Sequence, residues 1–291
     1  MTGVGPAPLD PSPSVETEPK PLTVIVPGST AVGQYLRDLG HFRGLIWVLA
    51  VRDIKLRYRQ TALGASWVVI QPLLSAGVLG FVFGKVARLP TDGIPTFLFV
   101  FCGMVAFSCF TSAAGRAAGS LLGNTGLVSK IYFPRLVLPF STAVSVLLDL
   151  LVSSCVLAVL LFTTGVTPGA GILLLPVWLL LLLALAQGFG AAAASVSVRY
   201  RDVQQIVPVV LQLMLYASPV AYSVRAIPAR YQDLYHLNPV AALLEAFRWS
   251  VLGTPFPGSW YLAYSATVCV ATFVVGALVL ERMEKTFADV I

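Results

Sequence analysis

Arg52, Lys55, Arg57 and Arg59 crowd into eight positions of the stretch VRDIKLRYRQTALGASWVVIQP, residues 51–72, and no further charge follows until Lys85. Cations packed this closely against an apolar run belong among lipid headgroups. Two more charges, Arg116 and Asp149, fall inside apolar runs, where a charge is costly without a partner or an aqueous cavity. Asp149 stands about 16 Å into its run at the helical rise. A cavity, an interhelical contact or a plain structural hydrogen bond would each account for it. Arg116 lies near the end of its run, from which its long side chain reaches water.

Catalytic groups are sparse. His41 and His236 are the only histidines, and the topology derived below puts them on opposite sides of a membrane, which excludes a histidine metal cluster or a shared His-based triad. Gly84-Lys85 is followed by Val86 and lacks the upstream glycine of a phosphate loop, so no ATP site is recognisable. Uphill movement of anything would then draw on another subunit for energy. Cys102, Cys109, Cys155 and Cys269 all sit among apolar neighbours without ligand spacing and read as small core residues.

The elements that must position these groups follow from composition. The 291 residues are 57% hydrophobic and only 11% charged, with a mean hydropathy of +0.84. That charge content is far below the quarter usual in soluble domains and marks an integral membrane protein. The net charge of +6 does not point to nucleic acid, because the cations sit beside apolar runs instead of forming a face interleaved with aromatics.

Residues 1–32 are rich in Pro, Ser, Thr and acids, lack the pattern of a cleaved signal peptide and read as a disordered cytoplasmic tail. Residues 33–291 form the membrane domain. Six apolar runs, about 63–84, 95–118, 138–162, 172–197, 205–223 and 259–280, reach the roughly 20 residues that cross the hydrocarbon. Lys and Arg concentrate in the segments that share a side with the N-terminus, so the positive-inside rule puts both termini in the cytoplasm.

Before the first span, Trp47, Val51, Ile54 and Tyr58 make an apolar stripe flanked by Arg52, Lys55 and Arg59, with Leu56 off the stripe. The spacing predicts an amphipathic helix in the cytoplasmic interface, and simple anchoring of the first span would use the same cations. Between the second and third spans, GNTGLVSKIYFPRLVLP (123–139) holds Lys130, Tyr132, Phe133 and Arg135 between and beside two prolines. It suits a short surface helix that docks another protein. VRYRDVQQIVP (198–208) is a tight charged turn. On the outer side, residues 239–252 form an apolar-periodic piece too short to span, with Asn238 as its cap, Pro239 in its first turn and Gly253 as its stop. Glu245 and Arg248, three apart, can pair on one face. The piece either dips back into the outer leaflet or lies on its surface.

Six of these stretches carry a family resemblance: RDIKLRYRQTALGASWVVIQP, NTGLVSKIYFPRLVLP, VRYRDVQQIVP, ASPVAY, LNPVAALLEAFR and the ending EKTFADVI. In that order and at those positions, the chain from about 33 to 291 resembles the membrane subunit of type-2 ABC transporters, specifically the Wzm-like exporters of lipid-linked O-antigen, teichoic acid and galactan chains. The resemblance implies an all-α fold with six transmembrane helices, an N-terminal interface helix near 36–60, a cytoplasmic coupling helix near 124–136 and outer re-entrant gate helices. Arg52, Lys55, Arg57, Arg59, Lys130, Tyr132, Phe133 and Arg135 would dock the ATPase. Asn238, Pro239, Glu245 and Arg248 would stand near the outer gate.

The resemblance further implies a homodimer with the pore between its copies, assembled with two copies of an ATPase subunit that holds ATP and Mg. Aromatic side chains line the sugar path in that family, which here nominates Trp67, Phe107, Phe110 and Tyr216. The lipid-diphosphate end of the substrate would enter beside Arg52, Lys55, Arg57 and Arg59. The tail after Arg282 is short, so recognition of the glycan's end is expected of the partner. A type-2 ABC exporter of a drug or simple lipid would share this topology. A lipid-linked sugar transferase would need paired acidic metal ligands in a cytoplasmic loop, and Asp202 has no nearby second carboxylate in sequence. A passive scaffold also fits the absence of an ATP site.

Overall fold

The computed structural model describes residues 40–59, 66–128 and 133–287. The predicted tail, the ends of the interface helix near 36 and 60, Lys130 and Tyr132 lie outside these. Among the described residues every regular element is helical. In chain order the α-helices are α1 (Arg43–Tyr58), α2 (Trp67–Leu79), α3 (Thr96–Gly119), α4 (Thr125–Val128), α5 (Val137–Thr164), α6 (Leu175–Arg199), α7 (Val203–Ala217), α8 (Ala229–His236), α9 (Pro239–Leu252) and α10 (Ser259–Phe287). A π-helical turn over Gly80–Val86 extends α2.

Five of these segments are long and apolar enough to cross a membrane: Trp67–Val86, Thr96–Gly119, Val137–Thr164, Gly171–Arg199 and Ser259–Glu284. The expected span at 205–223 differs. Its helix, α7, stops at Ala217 after 15 residues, about 22 Å at the helical rise against roughly 30 Å of hydrocarbon. Ser218 turns extended, and the carbonyls of Pro219 and Val220 then serve a side chain of α9 instead of the helix.

α3 forms the centre of the bundle. In its apolar window 78% of residues are inside, against 17% for α2, because α2, α5, α6, α7 and α9 all pack around it. α6 lies between α3 and α10. At the α6–α10 crossing the backbones nearly touch, and a Cβ on Gly276 would sit 2.6 Å from the carbonyl carbon of Gly188. Small residues allow that approach, which gains dispersion contact where lipid offers no hydrophobic drive between helices.

A second apolar cluster gathers at the end of the bundle that carries α1. It joins Leu49 of α1 to Leu121, Val128, Phe133, Leu136 and Leu280. α1 packs on α5 through a face not marked in the sequence reading: Leu49 and Ala50 are buried, with Phe42, Leu45 and Ile46 partly so. Trp47, from the stripe predicted at 47, 51, 54 and 58, is exposed. α1 thus has two apolar sides, one against protein and one outward. Three cysteines, Cys102, Cys109 and Cys269, are buried as expected, while Cys155 is exposed on the outside of α5.

Candidate functional site

Two polar stripes cross otherwise apolar helices. On α5, Ser141, Ser145, Asp149 and Ser153 recur every four residues; on α3, Ser108, Ser112 and Arg116 do the same. At helical spacing each set shares a face, and the two faces meet. Arg116 Nη1 donates to Ser145 Oγ at 3.0 Å and Arg116 Nη2 to Asp149 Oδ2. That period-four pattern was a signal available in the sequence, and the sequence reading, which weighed Asp149 and Arg116 singly, missed it.

The same Asp149 oxygen also accepts from Nη1 of Arg57 on α1. One carboxylate, 13% exposed, therefore joins three elements. Charge-assisted bonds of this kind offset the desolvation of the acid. Nearby, Arg52 bonds Asp53 at 2.7 Å and the Asn124 side-chain oxygen at 2.6 Å. Arg52, Arg57, Arg116, Asn124 and Ser145 line a cavity of about 460 Å³. A smaller one, about 120 Å³, shares Arg57 and continues along Asp149, Ser112, Ser108 and Ser153 with Gln71 and Ser75 of α2.

The remaining residues nominated for docking separate. Lys55 and Arg59 are exposed near the end of α1. Phe133 is 3% exposed and packs into the second apolar cluster. Arg135 lies 3.5 Å from Glu284 of α10, tying that loop to the last helix.

At the opposite end, the sequence specifies α9 closely. Asn238 Oδ1 accepts from the Val240 N–H at 3.0 Å, Pro239 opens the helix, and Gly253 ends it in the left-handed region at φ 68°. Asn238 Nδ2 also donates to Ser218 Oγ at 2.9 Å and to the Ala217 carbonyl. The helix does not lie on a surface. Nearly all of it is buried against α3, α6 and α10, and the Trp178 indole N–H of α6 donates to Ser250 Oγ at 2.9 Å.

Arg248 is 1% exposed. Glu245 and Arg248 do not pair as predicted, since the guanidinium turns instead to the carbonyl oxygens of Pro219, at 2.6 Å, and Val220, with the Phe99 ring 4.1 Å away. Both side chains border a polar cavity of about 220 Å³ with Asp92, Arg225, His236 and Tyr261. Burial pushes the Glu245 carboxyl up to about 6, Asp92 adds to the rise, and Arg248, the Val224 backbone and Arg225 pull against it. Burial lowers the pKa of His236, opposed by Asp233. The His236 ring stacks on Tyr261 at 3.8 Å, and the Tyr261 hydroxyl donates to Asp233 at 2.8 Å.

Of the four path aromatics, Phe107 and Phe110 face the interior of the chain and pack on each other at 6.3 Å. Both belong to the main core cluster. Trp67 and Tyr216 are exposed. Tyr216 shares the outer face of α7 with Gln205 and Gln212, also exposed. Among the described residues no three His, Cys, Asp or Glu side chains gather as a metal site.

Residues 44–252 match the model of the family described as ABC-2 type transporter. Two curated relatives are O-antigen export system permease proteins RfbA. The one from Klebsiella pneumoniae is 28% identical over 255 residues, covering 87% of this chain and 97% of that protein. The one from Myxococcus xanthus is 29% identical over 256 residues, covering 87% and 98%. The polysialic acid transport protein KpsM of Escherichia coli is 26% identical over 247 residues, covering 81% and 92%.

Proposed function

The chain belongs to the ABC-2 type transporter family, and from that premise we propose that it is the membrane-spanning permease subunit of an ATP-driven exporter that carries a lipid-linked polysaccharide out of the cytoplasm. The observation that carries this reading is the length of the likeness: the alignment with two O-antigen export permeases takes in 97% and 98% of those proteins. A substrate-specific resemblance confined to one loop would not extend so far. The alternative, export of a drug or simple lipid, shares the fold but has no counterpart among these relatives.

On this reading two copies of the chain enclose the path and two copies of an ATPase subunit supply ATP and Mg. The end of the bundle bearing Arg52 to Arg59 is cytoplasmic, both termini lie there, and the membrane is the bacterial plasma membrane. α7 makes a sixth crossing with the irregular Ser218–Ser223 segment, and its exposed Gln205, Gln212 and Tyr216 face the path, since amide groups are costly against lipid. Lys55, Arg59 and the loop around Lys130 and Tyr132 receive the ATPase, with Arg135 relaying its movement to α10. α9 stands at the outer exit.

Affinity purification of the tagged chain from its own cells in mild detergent tests the reading. A co-purifying ATPase with a phosphate loop at near-equal stoichiometry, together with a retained glycolipid, is the expected result. Recovery of the intact chain without any ATPase would overturn it.

A further inference from the structure

At the end of the bundle that carries α8 and α9, three connections of the chain converge on the cavity of about 220 Å³. Asp92 comes from the link between α2 and α3, Arg225 from that between α7 and α8, and Phe256 from that between α9 and α10. A tight turn holds Asp92 there: Asp92 and Gly93 both take left-handed φ, 51° and 80°, and the Ile94 N–H donates to the Thr91 carbonyl at 3.0 Å, the pattern of a type I′ turn. The lining runs from exposed Arg225 and Phe256 to buried Arg248 and His236. Among the described residues, Arg248 Nε and His236 Nδ1 are buried without a hydrogen-bond partner. Buried polar atoms left in that state are costly, which favours a polar occupant beside them.

The lining is balanced in charge. Asp92 and Glu245 stand with Arg225 and Arg248, and among the described residues none of the four closes an ion pair. An anion would enter against the two acids and a cation against the two guanidiniums. A neutral polyhydroxyl molecule meets both kinds of group, since each hydroxyl donates and accepts, and neighbouring hydroxyls can span a carboxylate or a guanidinium with paired bonds. The rings of Tyr261 and Phe256 border the same space and offer flat apolar surface to a C–H face. The volume, about 220 Å³, is below the roughly 300 Å³ at which drug-sized sites begin, which limits the occupant to a single ring. We infer that this cavity binds one uncharged sugar residue, its hydroxyls on Asp92, Glu245 and Arg225 and its C–H face on Tyr261 and Phe256, and that it selects a neutral glycan over an acidic one. The inference rests on the exporter reading for the source of the sugar, and on the geometry alone for the site.

The full-length chain in phosphatidylcholine nanodiscs is titrated, by saturation-transfer NMR, with the methyl glycosides of glucose, galactose and mannose, and with methyl glucuronide and methyl glucosaminide as the charged counterparts. Binding of at least one neutral glycoside is expected, with the anionic and cationic forms on the order of tenfold weaker. Arg225→Gln and Asp92→Asn should each weaken the neutral glycoside on the order of tenfold, as loss of a charge-assisted bond to a hydroxyl predicts. Arg225 is exposed, so its variant keeps the fold, and an unchanged unfolding midpoint confirms that the loss is one of binding. If Asp92→Asn does not elute as monodisperse protein, Tyr261→Ala serves, and must lose the saturation of the sugar's C–H protons. No binding of any neutral glycoside, glucuronide or glucosaminide binding as tightly as the neutral form, or full binding by the Arg225 variant would each overturn the proposal. Because ATPase co-purification is read on separate samples, a failed titration with the ATPase recovered sinks only this site, and glycoside binding without an ATPase sinks only the exporter reading.

Discussion

Gly103 of α3 lies directly beneath the guanidinium of Arg248 on α9: a Cβ at position 103 would sit 3.0 Å from Arg248 Cζ and 2.6 Å from the Val220 carbonyl oxygen. The missing side chain is what lets a fully buried arginine and the end of the ASPVAY turn share one place. Gly103→Ala should therefore destabilise the fold by about 1–3 kcal/mol through overpacking. A thermal unfolding midpoint unchanged from that of the native chain in the same detergent would mean that Arg248 can move aside.

Removing the guanidinium acts on the same turn from the other side. Arg248→Met should leave the Pro219 and Val220 carbonyls without their donors, at about 1–3 kcal/mol each. Arg248→Lys keeps the charge but lacks the planar fork that spans both oxygens. The expected order of unfolding midpoints is native, then Lys, then Met; a Met variant as stable as the native chain would contradict it.

Asn238 has two duties that substitution can part. Its oxygen caps α9, and its amide nitrogen holds Ser218 and Ala217 at the end of α7. Asn238→Asp retains the cap and loses the amide donors, whereas Asn238→Ala loses both, with about 1 kcal/mol expected for the cap alone. Hydrogen exchange at Val240 should rise in Ala and not in Asp.

Glu245 should make stability fall as pH rises. Its folded value, about 6, lies above the ordinary 4.5, so the folded chain favours the protonated acid. The contribution is complete below pH 4.5 and is lost as pH climbs through 6. Glu245→Gln should flatten the unfolding midpoint across that window; a slope equal to that of the native chain would assign it to another group.

The limits of α9 were legible because a cap, a first-turn proline and a stop glycine are all local signals. Its burial was not. Glu245 and Arg248 look like a polar face when read by spacing, yet they point into an enclosed cavity whose walls, Asp92 and Arg225, come from distant parts of the chain. Likewise the interface helix was visible from its cations, but its second apolar face, Phe42, Ile46 and Leu49, gains meaning only from α5 packed against it. Arg57 and Asp149, 92 positions apart, could be judged costly in sequence without any indication that they meet. The shortened α7 had a local warning in Ser218-Pro219, since a residue before proline is pushed out of the helical region into the extended one, whereas the use of the Pro219 and Val220 carbonyls by Arg248 has no local signal.

α10 is fastened at both ends. Glu284 sits 3.5 Å from Arg135 beside the loop at one end of the bundle, and Tyr261, about 35 Å away along the same helix at the helical rise, holds Asp233 and the His236 ring at the other. Between them, the contact of Gly276 with Gly188 leaves α10 no room to slip or roll against α6. A rod gripped in this way has no slack to take up. On the exporter reading proposed above, a push on the Arg135 loop and a shift of the helices at the far end would then be one stroke.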